Sequence, residues 1–407
     1  MAYRTTSWKN TDIGKIPSDW ECGELGKMGS FISGVGFAES EQGGKSGIPF
    51  YKVSDMNLPG NEVYMQVANN YVTQEQIDRL RYKTITNRAI IFAKVGAAIF
   101  LERKRIAKDF LIDNNMMAFV PNDDVAFLKI QLDKIKFSEY TKVGALPSYN
   151  ASDLQKIKIV LPQASEQQKI AEVLTDLDDL IAELEKVRDK KQAIKIGAMQ
   201  ELLTPKKGWI KRKLEDVCDD IFAGGTPSTT KESFWKNGDI IWLPSGMIQD
   251  SVISIENATS RITQSGLVNS SAKLIKPGTT ILAMTGATCG KVAYLPFEAA
   301  ANQSVMAFET TKVSSKFLFY VFLNNKDYVL QFQAGGAQAG INKTSCKNFE
   351  FSFPAKKNEQ TAIANVLSDM DNEISAINDK INKYKQIKAG VADELLSGRI
   401  RLIKPQE

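Results

Sequence analysis

Two stretches of this chain carry the same apolar rhythm. In the first, apolar residues recur at intervals of three and four: Ile170, Val173, Leu174, Leu177, Leu180, Ile181, Leu184, Val187 and Ile194. In the second the sequence reads Ile363, Val366, Leu367, Met370, Ile374, Ile377, Ile381, Tyr384 and Ile387. Such spacing draws an apolar stripe along one face of an α-helix, and its seven-residue period is that of a coiled coil. The pattern predicts helices over 163–203 and 355–396. Each follows a short alternating run that reads as a strand, Ile157-Lys158-Ile159-Val160-Leu161-Pro162 and Phe349-Glu350-Phe351-Ser352-Phe353-Pro354. Ser165 and Asn358 are the expected N-terminal caps, and Glu166 and Glu359 suit the positive end of each helix dipole. Thr204-Pro205-Lys206-Lys207-Gly208 stops the first helix, and Gly398 suits the end of the second.

These stretches are one text written twice. Glu166-Gln167, Ile170-Ala171, Val173-Leu174, Asp176 and Asp178 reappear as Glu359-Gln360, Ile363-Ala364, Val366-Leu367, Asp369 and Asp371, and the offset of 193 holds to Glu201-Leu202-Leu203 and Glu394-Leu395-Leu396. An ungapped repeat of this length decides the architecture before any local reading does. The chain is expected to hold a globular domain over 1–162, a helix over 163–205, a second globular domain over 206–354 and a second helix over 355–402. Each apolar stripe needs covering, and the other helix is its obvious partner. Antiparallel pairing gives a pseudo-twofold repeat, with its axis expected near the equivalent Leu184 and Ile377. The predicted seam is Ile170, Leu174, Leu177, Ile181 and Leu184 with Ile363, Leu367, Met370, Ile374 and Ile377. Gly197 and Gly390, also equivalent, fall inside the last third of each helix, as a tolerated weak point or a place of close backbone approach.

The globular domains read as mixed α/β (α+β) with strand-rich cores. Ile90-Ile91-Phe92-Ala93-Lys94 and Thr280-Ile281-Leu282-Ala283-Met284 are apolar strands that run into glycine loops, Val95-Gly96-Ala97-Ala98 and Thr285-Gly286-Ala287-Thr288. Met116-Met117-Ala118-Phe119-Val120 matches Val305-Met306-Ala307-Phe308-Glu309, and Trp20 and Leu25 match Trp209 and Leu214.

Charge refines the picture. Residues 1–162 hold 21 Lys+Arg against 18 Asp+Glu, and 206–354 hold 16 against 12, whereas the first helix holds 6 against 9. The globular parts are mildly basic, which permits nucleic-acid binding without requiring it. The chain has no histidine, so the commonest general base and metal ligand are missing. No catalytic constellation and no metal-ligand cluster is legible, and no run of about 18 apolar residues could span a membrane. Cys22, Cys218, Cys289 and Cys346 are widely spaced and read as free thiols of a reducing cytoplasm.

Several motifs fail on inspection. Gly43-Gly44-Lys45-Ser46 resembles the end of a phosphate loop, but the required first glycine is Glu39. Gly286-Ala287-Thr288-Cys289-Gly290-Lys291 is one residue short of the same motif and reads better as a turn of the shared frame. The densest basic run is Glu102-Arg103-Lys104-Arg105 with Lys108, read either as a solvated strand or turn or as phosphate contacts, with one arginine reading guanine in the major groove. The loops before the last strands, 144–150 and 335–343, are equivalent and rich in Gly, Asn, Gln and Ser. Their Ser148, Asn150, Gln338, Asn342 and Lys343 are candidates for entering a groove. Gly224-Gly225-Thr226-Pro227-Ser228, unique to the second half, adds Thr226 and Ser228. Lys52, Lys94, Lys231, Ser245 and Lys291 complete the candidate DNA-contact set.

Ile13-Gly14-Lys15-Ile16-Pro17-Ser18-Asp19-Trp20, Gly224–Ser228 with Phe234-Trp235, and the twice-used junction of strand, proline and Glu-Gln helix resemble the specificity subunits of type I restriction-modification systems. The resemblance covers essentially the whole chain, although the second half keeps only Lys207-Gly208-Trp209 of the opening motif. It implies that each globular domain is a target recognition domain reading one half of a bipartite site in double-stranded DNA. It implies helices that set the unread spacer and dock two modification (methyltransferase) subunits, followed by restriction subunits. S-adenosylmethionine, ATP and magnesium would belong to those partners; this chain itself would bind no cofactor and be non-catalytic. The residues alone leave two other readings open. One is a non-enzymatic coiled-coil adaptor, favoured by weak, salt-insensitive DNA binding; the other is a carboxylate enzyme, favoured by activity of the purified chain.

Overall fold

The computed structural model describes residues 3–141, 146–334 and 340–404. The chain divides into two compact units, Met1–Glu183 with Ile381–Glu407, and Leu184–Lys380. The dividing points lie close to the equivalent residues Leu184 and Ile377.

In unit 1 the central sheet is antiparallel, in the order Gly29–Ser33, Met116–Pro121, Ala89–Ala93, Lys104–Ala107. Ala89–Ala93 is buried along its whole length, as its unbroken apolar run requires. A smaller sheet joins Leu111–Ile112, Ile48–Tyr51 and Tyr71–Val72. In unit 2 the central sheet repeats the order with Asp220–Ala223, Val305–Glu309, Thr279–Ala283, Val292–Leu295, and adds Ser251–Val252 at the edge. Its second sheet is Arg261–Ile262, Ile240–Leu243, Ala299–Ala301, Leu274–Ile275. The strands expected from the repeat are therefore equivalent members of equivalent sheets. The strands before the helices, Lys158–Leu161 and Glu350–Pro354, pair with Glu21–Glu24 and Trp209–Lys213.

The long helices are Ala164–Leu203 and Lys357–Leu396, 40 residues each and offset by 193 at both ends. Both begin earlier than Ser165 and Asn358 would as caps; those residues sit in the first turn. The element common to both junctions is instead glutamine. Gln167 and Gln360 are buried, and each Nε2 donates at 2.9 Å to a carbonyl at the end of the preceding strand, that of Pro162 just past Leu161 and that of Pro354. Gln360 Oε1 also accepts from the Ser314 amide at 2.8 Å. Gly398 adopts φ +70° and donates to Leu395 O, closing the second helix.

Within each unit the two helices run antiparallel. Unit 1 packs the start of the first, Ile170 and Leu174, into one core with the end of the second, Ala392 and Leu395; Lys388 bonds Asp178. Unit 2 packs Leu203 with Ile363 and Leu367, and Lys191 reaches Glu373 at 2.7 Å. Of the predicted seam, Ile170, Leu174, Ile181, Ile363 and Leu367 are buried, and Leu177, Leu184, Met370, Ile374 and Ile377 are half-buried. Of the rest of the stripe, Ile381 is buried and Val173 and Tyr384 are half-buried, but Leu180, Val187, Ile194, Val366 and Ile387 depart from expectation and are exposed. A pair of helices covers one narrow seam each, and this stripe is wider than that. At Gly197 and Gly390 an added Cβ would meet nothing within 4 Å, so neither marks a close backbone approach.

Among the described residues, one feature belongs to unit 1 alone. Arg401, fully buried, bonds Glu166 through Nε (2.7 Å) and Nη2 (2.6 Å) and Asp19 through both Nη atoms (2.9 and 2.8 Å). The indole of Trp20 donates to the same Glu166 at 3.0 Å. Burial alone would lower the guanidinium pKa, but the bonds to Glu166 and Asp19 raise it overall. Glu166 therefore serves an ion cluster rather than only a helix dipole. By the 193 offset the residue matching Arg401 is Gly208; the matching carboxylate, Glu359, is exposed, and the buried indole N–H of Trp209 has no acceptor among the described residues.

Candidate nucleic-acid interface

The same end of each central sheet gathers the polar loops. In unit 2, Asp220–Ala223 leaves the sheet at Gly224, Thr279–Ala283 leaves at Met284, and Val305–Glu309 enters from Asn302-Gln303-Ser304. Gly224 N donates to Val305 O (2.9 Å) and Met284 N to Ser304 O (2.7 Å). Ile341 N then donates to Met284 O (2.8 Å), bringing in the loop before the last strand. The glycine pair is required by closeness: a Cβ on Gly224 would lie 2.1 Å from Ala301 O, and one on Gly225 2.3 Å from Ser271 C. Thr226 bonds Gln303, and Thr285 Oγ1 donates to Ser304 Oγ at 2.7 Å. Thr288 Oγ1 reaches Ser245 O at 3.2 Å, and Lys291 bonds Gln249. Asn342, exposed, caps the helix Lys343–Asn348 by accepting from Ser345 N at 2.8 Å. Trp235 and Trp242, edge to face at 5.0 Å, hold the glycine loop from behind by donating to Ser228 O and Gly225 O. Lys231 lies over Phe234 at 5.0 Å.

Unit 1 builds the same frame with different side chains. Gly34 N donates to Met116 O (3.2 Å), Lys94 N to Asn115 O (2.8 Å) and Gly96 N to Pro147 O (2.8 Å). Val95 bridges Ser148 as Thr285 bridges Gly340. Lys94, Ser148 and the exposed Asn150 thus lie at this edge. Lys52 lies apart, bonded to Gln42 and over Phe37 at 5.7 Å. Lys108 is exposed beside Asp109.

The basic run is corrected by the structure. Strand alternation turns Lys104 inward, where its side chain is 1% exposed. Its ammonium bonds Glu102 (3.1 Å) and Ile135 O (3.0 Å) over the Phe137 ring, and burial lowers its pKa. Lys104 is unable to reach a phosphate. Arg105 is also tied inward, its Nε donating to Asn61 O at 2.6 Å, with burial again lowering the pKa. Arg103 bonds Asn57. Gln338 lies outside the described residues.

Sequence reading missed Thr285, Thr288, Gln303 and Ser304. The signal was present: a polar triplet, Asp113-Asn114-Asn115 or Asn302-Gln303-Ser304, precedes the equivalent strand in both halves. Among the described residues no group of three or more His, Cys, Asp or Glu could hold a metal, and no helix is long and apolar enough to cross a membrane.

An internally repeated protein with two strand-rich units, equivalent polar sheet edges and shared antiparallel helices is the class that fold and site define. The family model described as the type I restriction modification DNA specificity domain matches twice, over residues 17–195 and 206–387. The chain belongs to this family of type I restriction-modification specificity subunits. It is 23% identical to the MjaVIII specificity subunit of Methanocaldococcus jannaschii, covering 98% of this chain and 97% of that one. It is 27% identical to the EcoR124I/EcoR124II specificity subunit of Escherichia coli over 58% of this chain and 60% of the relative. The fold is similar to the crystal structure of the S subunit from M. genitalium, with TM-score 0.61, 12% identity, and coverage of 95% and 97%.

Proposed function

We propose that this chain is the DNA-reading, non-catalytic subunit of its complex, each unit recognising one half of a bipartite duplex site through its polar sheet edge. The observation that carries this reading is the shared frame with different side chains. Gly34, Lys94 and Asn115 occupy one edge and Gly224, Met284 and Ser304 the other, joined by equivalent backbone bonds. One scaffold presenting two polar surfaces suits two different half-sites. Phosphate contacts position such a protein and base-edge contacts specify its target. Lys94, Ser148 and Asn150 in unit 1, and Thr226, Ser228, Lys231, Ser245, Lys291, Asn342 and Lys343 in unit 2, are the proposed contacts.

The long helices set the unread gap and dock two modification subunits, with restriction subunits beyond them. Uncovered apolar side chains support docking: Leu180 in unit 1, and Val187 and Ile194 in unit 2. S-adenosylmethionine, ATP and magnesium chemistry resides in those partners, and the complex works on DNA in the cytoplasm. A base-modification map of the host genome, with and without this gene, tests the reading. A two-part motif should lose its methylation on deletion, and replacing 206–354 by another recognition domain should change one half only. An active system whose map is unchanged by deletion, or a swap that changes both halves, refutes it.

A further inference from the structure

The hairpin between Ala89–Ala93 and Lys104–Ala107 ends in a turn that is longer and more apolar than its counterpart in unit 2. The segment Ala97–Leu101 forms a short 3-10 turn that starts after Gly96 at φ 82° and ends at Glu102 at φ 50°. Glu102 is not glycine, so this left-handed backbone must be held from outside. It is: the carboxylate accepts from the amides of Phe137 (2.9 Å) and Ser138 (2.8 Å) and pairs with Lys104. Ile99 is buried beneath the turn. The turn is thus fixed, and what it displays is apolar. Phe100 is 59% and Leu101 60% exposed, and Leu146, 61% exposed, comes beside Gly96.

Apolar groups so exposed on a rigid turn are a surface awaiting a partner. Two features choose its chemistry. The turn lies at the sheet edge proposed to face DNA, immediately beyond Lys94 and Gly96. It is also bracketed by Lys94 and Arg103, with no acidic residue from 94 to 101 and the carboxylate of Glu102 turned inward. Cations beside an apolar tip suit a stack of bases between two phosphate strands. The equivalent tip in unit 2, Gly286-Ala287-Thr288, is small and polar.

We propose that Phe100 and Leu101 form a wedge that inserts against one base step of the half-site read by unit 1, unstacking it and kinking the duplex there, while the other half-site is read without a wedge. Apolar wedges of this kind open a base step and let a bent duplex contact more protein. The inference rests on the DNA-reading role proposed above.

The test uses the full-length chain and duplexes it selects from a randomised pool, with 2-aminopurine placed in turn at each step of both halves. Binding of the wild type should raise fluorescence several-fold at one step, in one half only. Phe100→Ala/Leu101→Ala should abolish that signal and weaken binding about tenfold, the scale of losing one stacking partner. Phe100→Trp should preserve the signal. Both residues are exposed, so the double variant should keep the wild-type melting temperature. A wild type that selects no duplex overturns the DNA-reading role together with the wedge. Selective binding by a double variant with unchanged affinity and fluorescence overturns the wedge alone. Lost capture of modification subunits with an intact DNA signal also overturns it, and makes the tip a protein-docking surface.

Discussion

Removing the guanidinium of Arg401 should unfold unit 1 far more readily than its position near one end of the sequence suggests. Arg401 is fully buried, and its main partner Glu166 is equally buried. Arg401→Ala would leave that carboxylate with one neutral donor, the Trp20 indole at 3.0 Å, and would remove the positive charge above the Trp20 ring. Breaking a buried pair from one side costs about 3–5 kcal/mol, because the survivor stays charged in a poorly solvated place. For a unit of about 200 residues, each kcal/mol moves the melting point by about 2–4 °C, so a drop of about 6–20 °C is expected in unit 1. Calorimetry on the full-length chain measures the drop, and hydrogen exchange assigns it: Tyr3–Arg4 and Ile400–Arg401, which pair as strands, should lose protection, while Thr279–Ala283 keeps its own. A cycle separates charge from packing. With Arg401→Met in place, Glu166→Gln should restore part of the loss, because it neutralises the stranded carboxylate and keeps an acceptor for Trp20. A shift below about 2 °C, or additive losses in the cycle, would refute the reasoning.

Other outcomes follow from particular side chains. Trp20→Phe removes a hydrogen bond to a charged group and should destabilise unit 1 by about 1.5–3 kcal/mol, whereas Trp209→Phe removes a buried indole N–H that has no acceptor among the described residues and should be neutral or stabilising in chemical denaturation. Burial opposes ionisation of Glu102, but hydrogen bonds from Ser138, Phe137 and Lys104 win, so its pKa lies below the ordinary 4.5. Its stabilisation is therefore present above pH 4.5 and fades as pH falls through the depressed value; Glu102→Gln should flatten the acid limb of stability against pH, and an unchanged slope would count against this. Burial pushes the thiols of Cys218 and Cys346 up to about 12. Mass spectrometry after brief alkylation at pH 8 should find the half-buried Cys22 and Cys289 modified first, with Cys218 and Cys346 reacting only on unfolding.

The elements read most accurately from sequence were those whose signal is local and doubled. The long helices were placed within two residues at either end, because a heptad stripe and its copy constrain each other. The strand pairs at Ala89–Ala93 and Thr279–Ala283 were legible for the same reason. What escaped depends on distant partners. Glu166 and Glu359 look alike in sequence, yet one is buried because Arg401, 235 residues away, comes back to meet it. Lys104 reads as one of a basic run, and only the Phe137 ring and the Ile135 carbonyl reveal that it points inward. The polar loops at the sheet edge were legible where glycines announced them. Gln303 and Ser304 were missed because a polar triplet before a strand is ordinary until the fold sets it beside Gly224.

The pairing of Tyr3–Arg4 with Ile400–Arg401 bears on the order in which this molecule can be made. Unit 2 is a single continuous stretch, Leu184–Lys380, whose internal contacts are available once that stretch has left the ribosome. Unit 1 is interrupted by it, and its buried cluster lacks the cation until residue 401 emerges. Translation at about 5–20 residues per second separates residues 183 and 401 by tens of seconds or less, during which Glu166 and Trp20 wait without Arg401. A message cut short within the last helix would therefore yield a molecule with one reader finished and the other open. Arg401 is thus the last partner to reach the buried cluster of unit 1, and only chains translated through it can complete that cluster.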